Sequence, residues 1–177
     1  MKGATSLQPE IPDTVWRPQP DARELILAAI LHRNPIPIAY RVNYLANFYV
    51  GPLVRKMENT HRMTRPEWIV LFCLHQRRGM NAQQISNVTG RPKTSISAAV
   101  KQLLKKKLIS RKTDIADRRR QVVHVTEAGG RIYERILEGF IAREAEMIKC
   151  LNNKEREVLL ALLNKLVSNS PAWAHAY

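Results

Sequence analysis

From Asn81 to Gly129 the chain reads as a capped short helix, a turn, a second helix and a basic hairpin. This succession restricts the fold more than any other stretch. Asn81-Ala-Gln-Gln84 opens a helix in the manner of a capping box, with Ile85 and Val88 inward, and Gly90 stops it. Pro92 starts the next helix, at a first-turn position where its missing N–H costs least. Ile96, Val100, Leu103 and Leu104 recur there at helical spacing and predict a buried stripe. Lys93, Thr94, Ser97 and Lys101 are then left on outward or flanking faces. Ile109 to Val125 predicts a hairpin, with Arg118, Arg119 and Arg120 in its connecting loop. Between Arg91 and Arg120 stand eleven Lys/Arg against two acids, Asp114 and Asp117. A basic run alone is most simply a solvated face, but helix punctuation surrounds this one. A helix able to enter a major groove, beside an arginine-tipped hairpin, is the arrangement of a winged helix-turn-helix. It implies duplex DNA as a partner.

The totals agree. The 177 residues carry 29 Lys+Arg against 15 Asp+Glu, a formal charge of +14, which favours a polyanion. That length allows one good-sized domain or two small lobes. No apolar run approaches the ~20 residues of a bilayer span, so no membrane partner is expected. The N-terminus is polar and proline-rich, without the apolar centre of a signal peptide, and the expected location is the cytoplasm. Cys73 and Cys150 form no metal motif. Cys73 lies in an apolar run and reads as a small buried hydrophobe. His32, His75, His124 and His175 lack ligand spacing, so neither metal nor cofactor is expected. With no glycine-rich phosphate loop and no nucleophile beside a base, an enzyme is not indicated.

The expected fold class is mainly α with a small β-hairpin wing: a winged helix-turn-helix plus a helical dimerisation region. Residues 1–37 read as an N-terminal arm and a short helix over Ala22 to Arg33, with Leu25, Ala28, Ala29 and Leu31 inward. Residues 38–62 form a dimerisation helix carrying Val42, Leu45, Phe48, Tyr49 and Leu53, kinked at Gly51-Pro52. Residues 63–126 form the DNA-binding region. Its first helix opens on the capping box Thr64-Arg-Pro-Glu67 and is apolar on nearly every side from Trp68 to Leu74. Thr126 caps a long helix bearing Ile132, Ile136, Phe140, Met147 and Leu151. Asn152-Asn-Lys-Glu155 opens another with Val158, Leu159, Leu162, Leu163 and Leu166. These two helices, within residues 127–170, hold more apolar surface than they can bury on each other, and a second copy of the chain is the economical partner. Residues 171–177 are a tail.

The segment from Asp114 to Gly129 resembles the signature of the MarR family of bacterial transcription regulators: an acid, two basic residues, a short strand, then Leu-Thr-x-x-Gly. Ile96 to Arg111 is similar to that family's recognition helix and first wing strand. The resemblance implies a homodimer on a palindromic operator, usually a repressor released by a small ligand. By position it implies that Arg119 enters the minor groove, that Asp117 braces it, and that Thr94, Ser95 and Ser97 contact bases and phosphates. Lys93, Lys101, Lys112 and Arg118 suit the phosphate backbone, which gives salt-dependent affinity. Two positions depart from the pattern: Ala98 stands where arginine is common, and Lys107 where the helix usually ends in glycine.

In the resembling family effectors bind between the dimerisation helices and the DNA-reading lobe. Tyr40, Arg41, Tyr44, His61 and Trp68 are the candidate ligand residues. A cation with aromatic walls suits a small aromatic carboxylate such as a hydroxybenzoate, hydroxycinnamate or hydroxynicotinate. The bland reading makes Trp68 core and His61 a surface residue near a cap. A non-sensing architectural or RNA-binding winged-helix protein is the alternative function. A peroxide-sensing member would need a cysteine between Ile36 and Tyr49, and none is there.

Overall fold

A computed structural model describes residues 21–113 and 121–173, with side chains as far as residue 171. The chain divides into two units, residues 1–44 and 45–177.

In the first unit, Asp21 caps α1 (Ala22–His32) by accepting the Glu24 N–H at 2.8 Å. This helix buries none of its residues, and Leu25 is 57 % exposed. The expectation that Leu25, Ala28, Ala29 and Leu31 point into a core is therefore corrected: among the described residues Leu25, Ala28 and Ala29 are exposed and Leu31 is only half-buried. A turn in which Asn34 accepts the Ile36 N–H leads into α2 (Pro37–His61).

Helix α2 runs through Pro52, which has no N–H to offer the carbonyl of Phe48 one turn earlier. Arg143 supplies the missing donor, its guanidinium bonding the Phe48 carbonyl and also that of Tyr49. Tyr49 answers by donating its hydroxyl to the Phe140 carbonyl at 3.1 Å. Burial, and then the nearby Glu144, push that phenol above its ordinary pKa.

In the second unit α3 (Arg65–Gln76) is the central helix, burying Glu67, Trp68, Val70, Leu71 and Leu74. It packs on α5 (Lys93–Lys105), on α6 (Glu127–Met147) and on the hairpin. The short α4 (Ala82–Thr89) lies against α5, buries Ile85 and ends at Gly90 with φ +65. Val88, expected inward, is 69 % exposed. The hairpin pairs β1 (Ile109–Thr113) with β2 (Gln121–Val125), Ile109 opposite Val125 and Thr113 opposite Gln121. On the other edge of β2, the Val123 N–H donates to the Met80 carbonyl at 2.9 Å. Thr126 caps α6, which ends at Met147, so Leu151 lies beyond it. Asn152 caps α7 (Asn153–Ser168), which buries none of its residues, and a last turn, α8 (Ser170–Trp173), follows.

The α5 terminus is a Schellman motif. The N–H of Leu108 reaches the Leu103 carbonyl, and the N–H of Lys107 reaches that of Leu104, both at 3.0 Å. Lys107 pays for this turn with φ +57, the left-handed region that glycine enters without strain. Lys107→Gly should therefore stabilise the fold by roughly 0.5–1 kcal/mol, since relief of strain outweighs the added chain entropy. A rise in denaturation midpoint at unchanged slope is the expected reading, and a fall would refute it.

Candidate nucleic-acid interface

The two faces of α5 have opposite tasks. Ile96, Ala99, Val100 and Leu103 are buried against α3 and α4. Thr94, Ala98, Lys101 and Lys105, spaced four, three and four residues apart, form an exposed row on the other side. Lys93 is exposed too, and Ser95 and Ser97 flank the row half-buried. The helix begins at Pro92, whose side chain carries no oxygen to cap the first N–H groups. A helix N-terminus in that condition suits an anionic oxygen. The preceding turn is firmly held, because the Ser86 hydroxyl donates to the Arg91 carbonyl at 2.7 Å and the Thr89 hydroxyl to that of Ile85 at 2.6 Å.

Five expected contact residues, Lys93, Thr94, Ser95, Ser97 and Lys101, thus share one helix. Lys112 is exposed on β1, beside Arg111. Asp117, Arg118 and Arg119 lie outside the described residues. Sequence reasoning passed over Arg91, whose guanidinium is shifted below its ordinary pKa by partial burial and then by the nearby Arg65. Two arginines close enough to repel add positive potential at the turn between α4 and α5. No local pattern announces that pairing, because Arg65 belongs to a different helix.

The candidate ligand residues fall in both units. In the first, Tyr40 and Tyr44 stack with centroids 6.3 Å apart, and Arg23 donates to the Tyr44 hydroxyl at 3.4 Å. Arg41 turns back along its own segment, donating to the Pro37 carbonyl at 3.0 Å and the Leu31 carbonyl at 3.4 Å. In the second, Trp68 is 6 % exposed and stacks on two rings, Tyr133 at 5.2 Å and Phe140 at 4.9 Å, both nearly parallel to it. His75 stacks on Tyr133 with centroids 4.0 Å apart. His61 lines a cavity of about 30 Å³ with Lys56, Thr60, Arg135 and Phe140, room for little more than water. Cys73 is half-buried, and burial raises its thiol pKa, the opposite of what a reactive thiolate needs. Among the described residues no His/Cys/Asp/Glu group could hold a metal ion, and no helix is long and apolar enough to cross a membrane.

Residues 63–120 match the model of the MarR family. A relative from Bacillus subtilis (strain 168), YwaE, described as an uncharacterized HTH-type transcriptional regulator, is 25 % identical over 111 residues. That match spans 63 % of this chain and 65 % of the relative, less than two thirds of its length. The S. aureus MepR–DNA complex is similar at 25 % identity and TM-score 0.66, over 77 % of this chain and 98 % of MepR. A MarR/EmrR family regulator from Acinetobacter sp. ADP1 is similar at 26 % identity and TM-score 0.67, over 76 % and 95 % of the two chains. Helix order, hairpin and matched segment agree. Over residues 63–120 the chain is similar to the MarR family, and its fold is similar to that of the two regulators.

Proposed function

We propose that the protein is a dimeric, sequence-specific DNA-binding transcription regulator rather than an enzyme. It would repress from a palindromic operator, with α5 in the major groove and the hairpin reaching the minor groove. The observation that carries this reading is the two-faced α5: a buried apolar stripe fixes it, and Thr94, Ser95, Ser97, Lys93 and Lys101 stand on or beside its uncovered face. A net charge of +14 supplies the field that attracts duplex. That MepR was solved on DNA, over 98 % of its length in common with this chain, supports the same partner.

A second copy of the chain is the proposed cover for α1 and α7. Neither helix buries a residue, and Leu25, Ile26, Ile30, Leu159, Leu162 and Leu163 stay exposed. The effector part of the reading, a small aromatic carboxylate that releases DNA, is supported by the cations Lys56, His61 and Arg135 around the cavity beside Phe140. The cavity is too small for an aromatic ring as it stands, so binding would have to open it.

Selection from a randomised duplex pool tests the reading. Palindromic sites should emerge, with half-sites one helical turn, ~10 bp, apart or a multiple of it. Lys101→Ala should weaken selected and unrelated duplex alike, roughly fivefold at ~0.15 M salt, and flatten the salt dependence by about 0.9. Arg119→Ala should weaken the selected duplex while the fold stays intact. Enrichment of no sequence would leave an architectural role, and single unpaired sites would defeat the dimer geometry.

A further inference from the structure

The C-terminal end of α5 is anchored in a way that its reading face does not require. Lys106 Nζ donates to the Arg62 carbonyl at 2.7 Å and to Glu67 Oε1 at 2.6 Å. Glu67 is 2 % exposed, and its second oxygen receives the Thr64 N–H at 2.8 Å and the Thr64 hydroxyl at 3.0 Å. One residue on, the Lys107 carbonyl accepts the Thr126 hydroxyl at 2.9 Å, and the Leu108 carbonyl accepts the Thr126 N–H at 3.1 Å. Residues 106–108 therefore join the turn that leaves α2, the first turn of α3 and the first turn of α6.

The apolar stripe of α5 is non-directional and tolerates small rotations, whereas a charge-assisted pair bonded to two fixed points does not. Base recognition needs placement to within ~0.5 Å and 10–20°. The 13 residues of α5 span about 20 Å, so a tilt of ~10° at Lys106 moves the reading end by about 3 Å. We propose that Lys106 is a positioning residue for DNA recognition, setting the tilt and rotation of α5 through Glu67 and the Arg62 carbonyl without touching DNA. This rests on the DNA-binding function proposed above.

The test compares the parent with Lys106→Met, Lys106→Arg and Glu67→Gln. The probes are the duplex the parent selects from a random pool and a 30-bp duplex of unrelated sequence. Lys106→Met should lose about tenfold or more on the selected duplex, with unrelated duplex within about twofold. Its salt slope should equal the parent's, because loss of a phosphate contact would lower it by ~0.9. Lys106→Arg should recover most of the loss, and Glu67→Gln should add little on top of Lys106→Met, as expected of one coupled unit. An unchanged affinity overturns the proposal. So does an equal loss on both duplexes with a flatter slope, which would make Lys106 a phosphate contact. Hydrogen exchange, at a temperature where every variant is folded, examines the anchor without DNA. In Lys106→Met, amides 62–67 and 104–109 should exchange faster together, by about tenfold, while 83–89 stay as in the parent. If those two segments do not change, the anchor is absent. If they do change but the parent selects no duplex, the DNA-binding function fails and the anchor stands.

Discussion

Trp68→Ala should cost the fold about 4 kcal/mol, within the range for truncating a buried aromatic and a large share of the ~5–15 kcal/mol that holds a domain together. The indole is 6 % exposed and stacks on two rings, Tyr133 and Phe140, so truncation loses apolar burial and two stacking contacts at once. No neighbour is placed to fill the gap cheaply, because Tyr133 is itself held by His75 and by the Gln76 amide at 3.3 Å. Trp68→Phe keeps a ring in the slot and should cost clearly less, about 1–2 kcal/mol. Urea unfolding of the three proteins gives the answer. If Trp68→Ala stayed within ~1 kcal/mol of the parent, the indole would be a pocket wall with room around it, as a ligand role requires, and not a member of a packed stack.

The second large effect is at Gly129, and its neighbour provides the control. A Cβ on Gly129 would lie 2.1 Å from the Leu108 carbonyl oxygen and 3.0 Å from Val125 Cγ1. The obstructing atom is backbone, already tied to Thr126, so α6 could accept the methyl only by lifting off the α5–β1 junction. Gly129→Ala should therefore destabilise by about 3 kcal/mol. Gly130, one residue along the same helix, has nothing within 4 Å of such a Cβ. Gly130→Ala should stabilise by roughly 0.5–1 kcal/mol through helix propensity alone. Adjacent glycines with opposite signs are the expected result in thermal unfolding. Two stabilising alanines would show that α6 does not seat on Leu108.

Local signals made most of this architecture legible in the sequence. Asn81 and Asn152 announce their capping boxes, Thr64 and Glu67 theirs, and Gly90 its stop, because each is a short-range hydrogen-bonding arrangement written within four residues. What escaped depends on distant partners. The Lys106–Glu67 pair joins residues 39 positions apart, and nothing near either residue advertises the other. Tyr133 was passed over beside Ile132 and Ile136, since its burial comes from stacking on Trp68 and His75 rather than from helical spacing. Val88 and the α1 leucines were read inward from periodicity, which identifies an apolar face but not whether the chain itself covers it. Asp117, Arg118 and Arg119 at the hairpin tip stay a sequence reading.

The arginine that serves the proline-interrupted helix also restricts how the long helices can move. Leucines and valines in contact can slide past one another by an ångström with little change in buried area, so apolar packing alone gives a soft longitudinal setting. A guanidinium straddling the carbonyls of Phe48 and Tyr49, with Tyr49 bonded back to Phe140, has no equivalent site one residue up or down. Within α2, Pro52 is the residue that brings no N–H to the ladder. The Tyr49 region of α2 and the Phe140–Arg143 turn of α6 are therefore keyed, as a cog is to a rack with a single tooth. Sliding one past the other would have to break these three hydrogen bonds together, a cost that apolar packing alone would not impose.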